Sequence, residues 1–574
     1  MNAPIWTTAL PDWETRIVAG ESLVPCEPLF KQSAEIALKV FKQLKLVDVI
    51  GKPEIGQVTR QWVYDFVAAV FGAYDPVAKK RLIKEFFLLI SKKNTKSTLA
   101  AAIMMTALIL NERESCELAI IAPTKEVAGN SFNPMRDMIR EDPDLKAMFN
   151  VSEHTKTITH RGTNATLKVV AAENDSAAGI KATYVLIDEL WVFGKRANAA
   201  AMLQEATGGL ISRPEGFVIS LTTMSDEAPA GVMKEKLDYA RGVRDGEIID
   251  PRFLGVLYEF PQKYIEDGSY ILPENWYITN PNLGASVGLE ELADILRKAG
   301  ESHDKNTLQT ALAKHLNIPI GISLRANRWA GAEFWEAASD KTITLDDIIE
   351  KSEVVTMGGD GGGLDDLLGG AVLGRLPIVI GHEMDEVTRE RRPIKPWKLW
   401  THAWCHPIAL ERRKQDEPRY RDFEKDGDLT VVEYVGQDTE QFADIAVKIY
   451  KANKLDRVGL DPLMVGDLVD DLIAAGIPED KIVGVPQGYK ISGYQKTAER
   501  RIASKYMTHS AQPMMDWCVG NARVLMKGSG TMLSKAESGT GKIDPLIASL
   551  NAVALMSENP KPPKKADEVS VFFV

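Results

Sequence analysis

The sequence predicts two α/β domains in one chain. Its 574 residues exceed what a single hydrophobic core is expected to fill. Apolar strand-like runs alternate with helix-forming runs from about 60 to 225, and again from about 352 to 556. The predicted segments are a helical and loop segment at 1–59, a first α/β domain at 60–240, a connector at 241–350, a second α/β domain at 351–557 and a flexible tail at 558–574.

Composition excludes several classes of protein. Hydrophobic residues make up 45% of the chain and charged residues 26%, as in ordinary globular proteins. The longest apolar run, 99–110, is too short to span a bilayer, and the N-terminus has no signal-peptide pattern. Four scattered cysteines fit a reducing compartment. A net charge of −11 argues against coating nucleic acid by bulk charge, so any such contact depends on local basic patches.

Within the first domain, five short apolar runs are predicted as strands of a parallel sheet: 86–90, 118–121, 167–170, 184–187 and 217–221. The connector is predicted to hold helices near 289–299 and 305–316.

The first predicted strand runs into a loop that ends in Lys96-Ser97, and a helix-forming run follows. This order is typical of a P-loop, in which backbone N–H groups and a helix N-terminus attract phosphates. Lys96 would reach the β- and γ-phosphates, and the Ser97 hydroxyl would bind Mg²⁺. The usual glycines are replaced by Ile90 and Thr95, so a basic loop capping an ordinary helix is the alternative.

The strand 184–187 leads into Asp188-Glu189, which is the pattern of a Walker B motif. Asp188 would hold Mg²⁺ through water, and Glu189 would orient the attacking water. The next strand ends at Thr222-Thr223, whose hydroxyls could sense hydrolysis. Gln61, which opens an earlier apolar helix, could read the adenine edge with its donor and its acceptor; the alternative is a surface glutamine.

Three carboxylates stand at the edges of buried-looking elements in the second domain. Asp360 ends one apolar run, Asp461 ends another, and Asp544 opens the final apolar helix. Such a set suggests a site that holds Mg²⁺ or Mn²⁺ and cleaves phosphodiesters. The alternatives are a calcium-like or solvated turn at Asp360 and a helix N-cap at Asp544.

In this order the motifs resemble the large subunit of tailed-bacteriophage terminase, over about 61 to 556. The resemblance implies a P-loop, RecA/ASCE-like ATPase domain followed by an RNase H-like nuclease domain. It implies that Asn94, Thr95 and Thr98 help to hold the nucleotide, and that Thr222 and Thr223 form a coupling motif. Lys92 takes the place of an early P-loop residue that is often an arginine in the family and acts there as a finger; lysine lacks the planar guanidinium fork.

For the nuclease domain, the resemblance makes Asp360, Asp461 and Asp544 an acidic triad that binds two ions, with Asp366 as a further acid and Lys490 as a DNA contact. The implied function is an ATP-driven double-stranded DNA translocase that also cuts concatemeric DNA. The implied partners are double-stranded DNA, a small terminase subunit, and a portal on which subunits form a ring. The expected location is the cytoplasm of the bacterial host, with transient binding to the procapsid.

Two other classes of function are left open by the residues. A helicase-nuclease of DNA repair or restriction would carry a second RecA-like domain with an arginine. A nucleotide-binding scaffold would use the same acids only structurally.

Overall fold

The structure, a computed structural model, describes residues 6–172, 182–196, 198–302, 306–319, 329–384, 391–462, 466–527, 530–534 and 541–563. The chain divides into two compact units, Met1–Ile320 and Gly321–Val574. Within the described ranges, no helix is both long enough and apolar enough to span a membrane.

The strands of the first unit are β1 Tyr74–Asp75, β2 Lys80–Arg81, β3 Glu85–Leu89, β4 Glu117–Ala122, β5 Phe149–Ser152, β6 Thr157–His160, β7 Thr166–Ala171, β8 Tyr184–Ile187, β9 Phe217–Thr222 and β10 Phe253–Leu257. Its helices are α1 Trp13–Ala19, α2 Lys31–Gln43, α3 Ile55–Val58, α4 Gln61–Gly72, α5 Lys96–Ile109, α6 Lys125–Glu141, α7 Pro143–Met148, α8 Leu190–Phe193, α9 Ala199–Gly208, α10 Gly231–Asp245, α11 Gln262–Glu266, α12 Leu289–Glu301 and α13 Asn306–Leu316.

In the described part of the first unit, eight strands form one sheet in the order β10-β3-β9-β8-β4-β7-β6-β5. The strands from β10 to β7 are parallel, and β6 and β5 continue the sheet as antiparallel strands. Buried Leu, Ile, Val and Phe side chains of these strands form the core. The five strands predicted from sequence are present, and β10 lies within the stretch we predicted to be a connector.

The order of these strands positions the first candidate site. In the middle of the sheet, β9 lies between β3 and β8, with Leu89 paired to Thr222 and Ile187 paired to Ser220. Because parallel strands end at the same edge, the residues that follow β3, β8 and β9 come together there.

The strands of the second unit are β11 Val354–Gly361, β12 Leu367–Arg375, β13 Gly381–Met384, β14 Arg391–Ile394, β15 Trp397–Cys405, β16 Leu429–Val431, β17 Leu455–Leu460, β18 Ile482–Gly484, β19 Met507–His509, β20 Arg523–Lys527 and β21 Gly530–Ser534. Its helices are α14 Ala332–Trp335, α15 Leu345–Lys351, α16 Pro407–Arg412, α17 Glu417–Lys425, α18 Gln437–Lys451, α19 Gly466–Ala474, α20 Ser492–Ala503, α21 Pro513–Asn521 and α22 Asp544–Ser557.

The main sheet of the second unit has the order β16-β15-β12-β11-β17-β18, with β19 beside β15. The strands β11, β12 and β15 form an antiparallel meander, and β17 and β18 continue from β11 as parallel strands. One face of this sheet packs against α18 and α19, and the other packs against α22. Both units therefore have the α/β architecture that the sequence predicts, and the second has the mixed sheet expected of an RNase H-like domain.

Glycines bring the start of α22 onto the sheet. A Cβ atom added to Gly369 would lie 2.6 Å from the backbone carbon of Asp544 and 2.6 Å from the nitrogen of Pro545. A Cβ at Gly358 would lie 2.0 Å from the carbonyl oxygen of Ala548. Backbone atoms cannot yield as a flexible side chain can, so this packing requires residues without a side chain. It places Asp544 beside the strands that carry Asp360 and Gly369, which are register partners.

We expect Gly369→Ala to destabilise the second unit by about 1–3 kcal/mol, because the added methyl group overpacks a site bounded by backbone. Thermal unfolding of the full chain would measure the loss. The matched control is Gly363→Ala, since a Cβ at Gly363 meets its nearest neighbour only at 3.6 Å. Equal melting curves for the two variants would contradict this account of the packing.

Candidate functional site

The loop between β3 and α5, the predicted P-loop, lacks the usual glycines, yet two of its residues adopt left-handed backbone conformations. Lys93 and Thr95 adopt positive φ angles of 73° and 61°. This region is unfavourable for a β-branched residue such as Thr95, so the surrounding structure must hold the loop in place. Lys96 is the first residue of α5, and Ser97 and Thr98 follow in its first turn.

Asparagine side chains hold the loop in this conformation. Asn94 is fully buried and donates hydrogen bonds to the Ser91 carbonyl at 3.0 Å and to Asn280 Oδ1 at 2.9 Å. The Asn282 backbone N–H donates to Asn94 Oδ1 at 3.0 Å, and its side-chain amide donates to Thr95 Oγ1 at 3.2 Å. The motif Asn280-Pro281-Asn282, which the sequence analysis placed in a connector, is therefore part of the P-loop's support.

The predicted Walker B acids, Asp188 and Glu189, directly follow β8 at the sheet edge where β3 and β9 also end. Asp188 is fully buried, its Oδ2 accepts a hydrogen bond from Ser131 Oγ at 2.9 Å, and burial raises the pKa of its carboxyl group. Glu189 Oε1 accepts a bond from Lys96 Nζ at 2.7 Å. Burial alone would raise the pKa of Glu189, but the Lys96 charge and hydrogen bonds lower it overall. Lys96 is thus paired with the acid predicted to orient water.

Thr222 joins this group from β9. Its backbone carbonyl accepts a hydrogen bond from the Ile90 N–H at 3.0 Å, and its Oγ1 accepts one from the Trp191 N–H at 3.1 Å. Both Thr222 and Thr223 are buried. The end of β9 therefore contacts both the start of the P-loop and the segment that follows Glu189.

A cavity of about 270 Å³ lies beside the nucleotide-facing end of α5. Its lining includes apolar side chains from α2 to α4 together with Thr95 and Thr98. Thr59 and Arg60 contribute to it, whereas Gln61 is not among the lining residues. The Gln61 amide instead donates to Asp65 Oδ1 at 2.7 Å, one helical turn along α4. The cavity is bordered by Thr59 and Arg60, the neighbours of Gln61, and the adenine-reading role of Gln61 stays a prediction.

Lys92 is exposed and borders an open groove between α12 and α13, together with Lys298, Lys314 and His315. The Lys92 backbone N–H donates to the Lys314 carbonyl at 2.7 Å, so α13 touches the P-loop directly. Burial lowers the pKa of Lys314 to about 7. The sequence analysis did not single out Lys314, Ser131 or Trp191, because their contacts join elements that are distant in sequence.

The second unit brings the predicted acids to one edge of its sheet. Gly359 pairs with Leu460 in register, so Asp360 and Asp461 are the next residues on neighbouring parallel strands. A Cβ on Gly361 would lie 3.3 Å from the Asp544 Cβ, which places Asp544 at the same edge. Carboxylate oxygens in this arrangement fit a hard divalent cation in donor type and in backbone placement. Among the described residues, however, no three His, Cys, Asp or Glu side chains are gathered as a group that could hold a metal ion.

Asp366 lies at the start of the returning strand, and its Oδ1 contacts the ammonium group of Lys542 and accepts a bond from the Leu367 N–H at 2.9 Å. Lys542 is 2% exposed. Lys542 thus provides a buried ion-pair partner for Asp366, and Asp366 would have to exchange this partner to bind metal. Sequence reasoning missed Lys542, although its place two residues before Asp544 was the available signal. Lys490 is exposed in a short helix, Gly488–Ile491, beyond the carboxyl end of β18.

Comparisons with known proteins found one family model and several relatives that this chain resembles. Residues 61–242 match the family model of the terminase large subunit, ATPase domain. The terminase large subunit of Enterobacteria phage HK97 is 24% identical over 490 residues, which cover 84% of this chain and 88% of that protein. Protein YmfN of Escherichia coli K12 is 22% identical over 321 residues, covering 54% of this chain and 64% of YmfN.

Among solved structures, the HK97 bacteriophage large terminase shares 20% identity with this chain at a TM-score of 0.45, covering 91% of this chain and 99% of that one. The family match lies on the P-loop, Walker B and β9 segments that the structure brings together. Residues 61–242 are therefore similar to the ATPase domain of terminase large subunits, and most of the chain is similar to one such subunit at 24% identity.

Proposed function

We propose that the protein is the ATP-hydrolysing and DNA-cutting subunit of a viral DNA-packaging motor. The observation that carries this proposal is the meeting of the P-loop, the Asp188-Glu189 pair and Thr222 at one edge of the first sheet. The family match over the same residues supports it. The second unit, with its acids at the edge of a mixed sheet, would supply the nuclease.

In the ATPase unit, the positive φ angles of the P-loop and the N-terminus of α5 favour phosphate binding. Lys96 would leave Glu189 and pair with the β- and γ-phosphates, while Ser97 and Asp188 would hold Mg²⁺. Mg²⁺ would neutralise charge that develops on the phosphate oxygens. Glu189, released from Lys96, would then orient the attacking water. Lys92, exposed at the border of the groove between α12 and α13, would add positive charge near the γ-phosphate.

In the nuclease unit, Asp360, Asp461 and Asp544 would hold one or two Mg²⁺ or Mn²⁺ ions. Such ions lower the pKa of bound water and stabilise the leaving oxygen. The protein would fix the positions of these three residues. Strand register would fix Asp360 and Asp461, and the close approach of α22 would fix Asp544. The Lys542 ammonium beside Asp366 would offset repulsion among the acids when no ion is bound. Lys490 would contact the DNA backbone.

For the assembly we propose double-stranded DNA as the track, a ring of identical subunits on the portal of a procapsid, and a small terminase subunit that selects the DNA. The corresponding location is the bacterial cytoplasm. The rival helicase-nuclease would need a second RecA-like sheet. The described sheet of the second unit is instead a meander of three antiparallel strands, extended by the parallel strands β17 and β18 on one side and β16 and β19 on the other.

We expect Glu189→Gln to lower the steady-state rate of ATP hydrolysis by on the order of 10²-fold or more, because the amide cannot accept a proton from water. Binding of a fluorescent ATP analogue should stay within a few-fold of wild type. Glu126→Gln, at an exposed position in the first turn of α6, is the matched control. Undiminished hydrolysis by Glu189→Gln would refute the assigned role.

We expect Asp360→Ala to reduce cleavage of plasmid DNA by on the order of 10²-fold or more, because a bound ion loses a charged ligand. Wild-type cleavage should stop when the divalent metal is chelated and return with Mg²⁺ or Mn²⁺. Asp470→Ala removes an exposed carboxylate on α19 and serves as the control. Cleavage by Asp360→Ala at the wild-type rate, or cleavage that persists in a chelator, would rule out this metal site.

A further inference from the structure

Trp191 contacts Glu189, Thr222 at the end of β9 and Lys314 of α13, and Lys314 links it to the P-loop. It belongs to none of the recognised motifs of the ATPase site. It lies in α8, two residues after Glu189. Its indole Nε1 donates a hydrogen bond to Glu189 Oε2 at 2.5 Å, and its backbone N–H donates to Thr222 Oγ1 at 3.1 Å. The side chain therefore contacts the predicted water-orienting acid, while the backbone is tied to the end of β9.

The face of the same indole ring carries the buried amine of Lys314, whose pKa burial lowers to about 7, so that a large share of it is charged at or below neutral pH. Lys314 Nζ lies 2.9 Å from the ring centroid and donates to the Met224 carbonyl at 3.2 Å. A cation on an indole face is attracted by the ring quadrupole, and the attraction is stronger where water is excluded. Lys314 comes from α13, and its own carbonyl accepts the hydrogen bond from the Lys92 N–H. The ring is thus held by the helix that also supports the P-loop.

The two oxygens of Glu189 have different partners, and nucleotide binding would affect them differently. Oε1 is bonded to Lys96, whose ammonium must turn to the phosphates when ATP binds. Oε2 accepts a hydrogen bond from the Trp191 indole. The indole carries no charge and is therefore not drawn towards the phosphates. After Lys96 leaves, the indole bond is the contact that keeps the carboxylate in a fixed direction.

We propose that Trp191 is a positioning residue that aims Glu189 at the attacking water, and that Lys314 on α13 holds the Trp191 ring in the position that allows this. Full hydrolytic activity then depends on α13 lying against the P-loop, because a shift of α13 removes the Lys314 amine from the ring. The inference rests on the proposed ATPase function and adds to it a condition on the position of one helix.

The test is ATP hydrolysis by the full-length chain, with and without double-stranded DNA. Trp191→Phe keeps an aromatic ring for Lys314 but removes the N–H donor. We expect kcat to fall about 10- to 100-fold, the loss typical of a hydrogen bond to a charged group. KM for ATP should change by less than about three-fold, because the lost contact acts on the water and not on the nucleotide.

Lys314→Met keeps the length of the side chain and removes its charge, and kcat should fall about 3- to 10-fold. Adding Trp191→Phe to Glu189→Gln should cause no further loss, since both changes act on one carboxylate. The matched control is Trp6→Phe: the Trp6 indole donates to the Pro251 carbonyl at 2.9 Å, away from these contacts, and its loss should leave kcat unchanged.

The outcomes separate the two proposals. If the wild-type chain hydrolyses no ATP, the proposed function fails, and this inference fails with it. If wild type is active and Glu189→Gln is not, a Trp191→Phe kcat within two-fold of wild type overturns this inference alone. The same holds if Trp191→Phe weakens binding of a fluorescent ATP analogue as much as it lowers kcat, because Trp191 would then be a structural support of the nucleotide site.

Discussion

The ion pair between Lys96 and Glu189 is the interaction around which the ATPase unit is arranged. Both groups lie largely out of water, where an unmatched charge costs far more than a matched one. Three parallel strands must therefore end at the same level, so that the P-loop, the acidic pair and Thr222 meet. The arrangement leaves the lysine ready to exchange one anionic partner, a carboxylate, for another, a phosphate.

In the second unit, the main electrostatic cost is repulsion between carboxylates. Its sheet edge carries several acids, and carboxylates brought near one another repel. Strand register fixes Asp360 beside Asp461, and glycines let the first turn of α22 bring Asp544 to the same edge. The buried Lys542 supplies positive charge next to Asp366. The backbone sets the positions of Asp360, Asp461 and Asp544. The Lys542 side chain supplies positive charge, which a bound metal ion could supply instead.

Much of this could be predicted from the sequence, because apolar strands ending in Lys-Ser, Asp-Glu or single aspartates are local patterns. The strand 184–187 and the helix that begins at Asp544 have the bounds expected of them. What could not be predicted depends on contacts between distant residues. Asn280 and Asn282 read as turn residues, yet they hold the P-loop some 190 positions earlier. Lys314 and Trp191 belong to no motif, and their roles arise only from packing.

The asparagine support of the P-loop has a consequence for how this motif can evolve. In a glycine-rich loop, the glycines adopt positive φ angles without help from other segments, so the same loop sequence can keep its conformation in different proteins. Here Thr95 carries an unfavourable backbone conformation, and the shape is imposed by the segment around Asn282. Residues 91–98 therefore depend on residues 280–286 for their conformation. A recombination event that separated the two segments would keep the phosphate-binding sequence and lose its geometry.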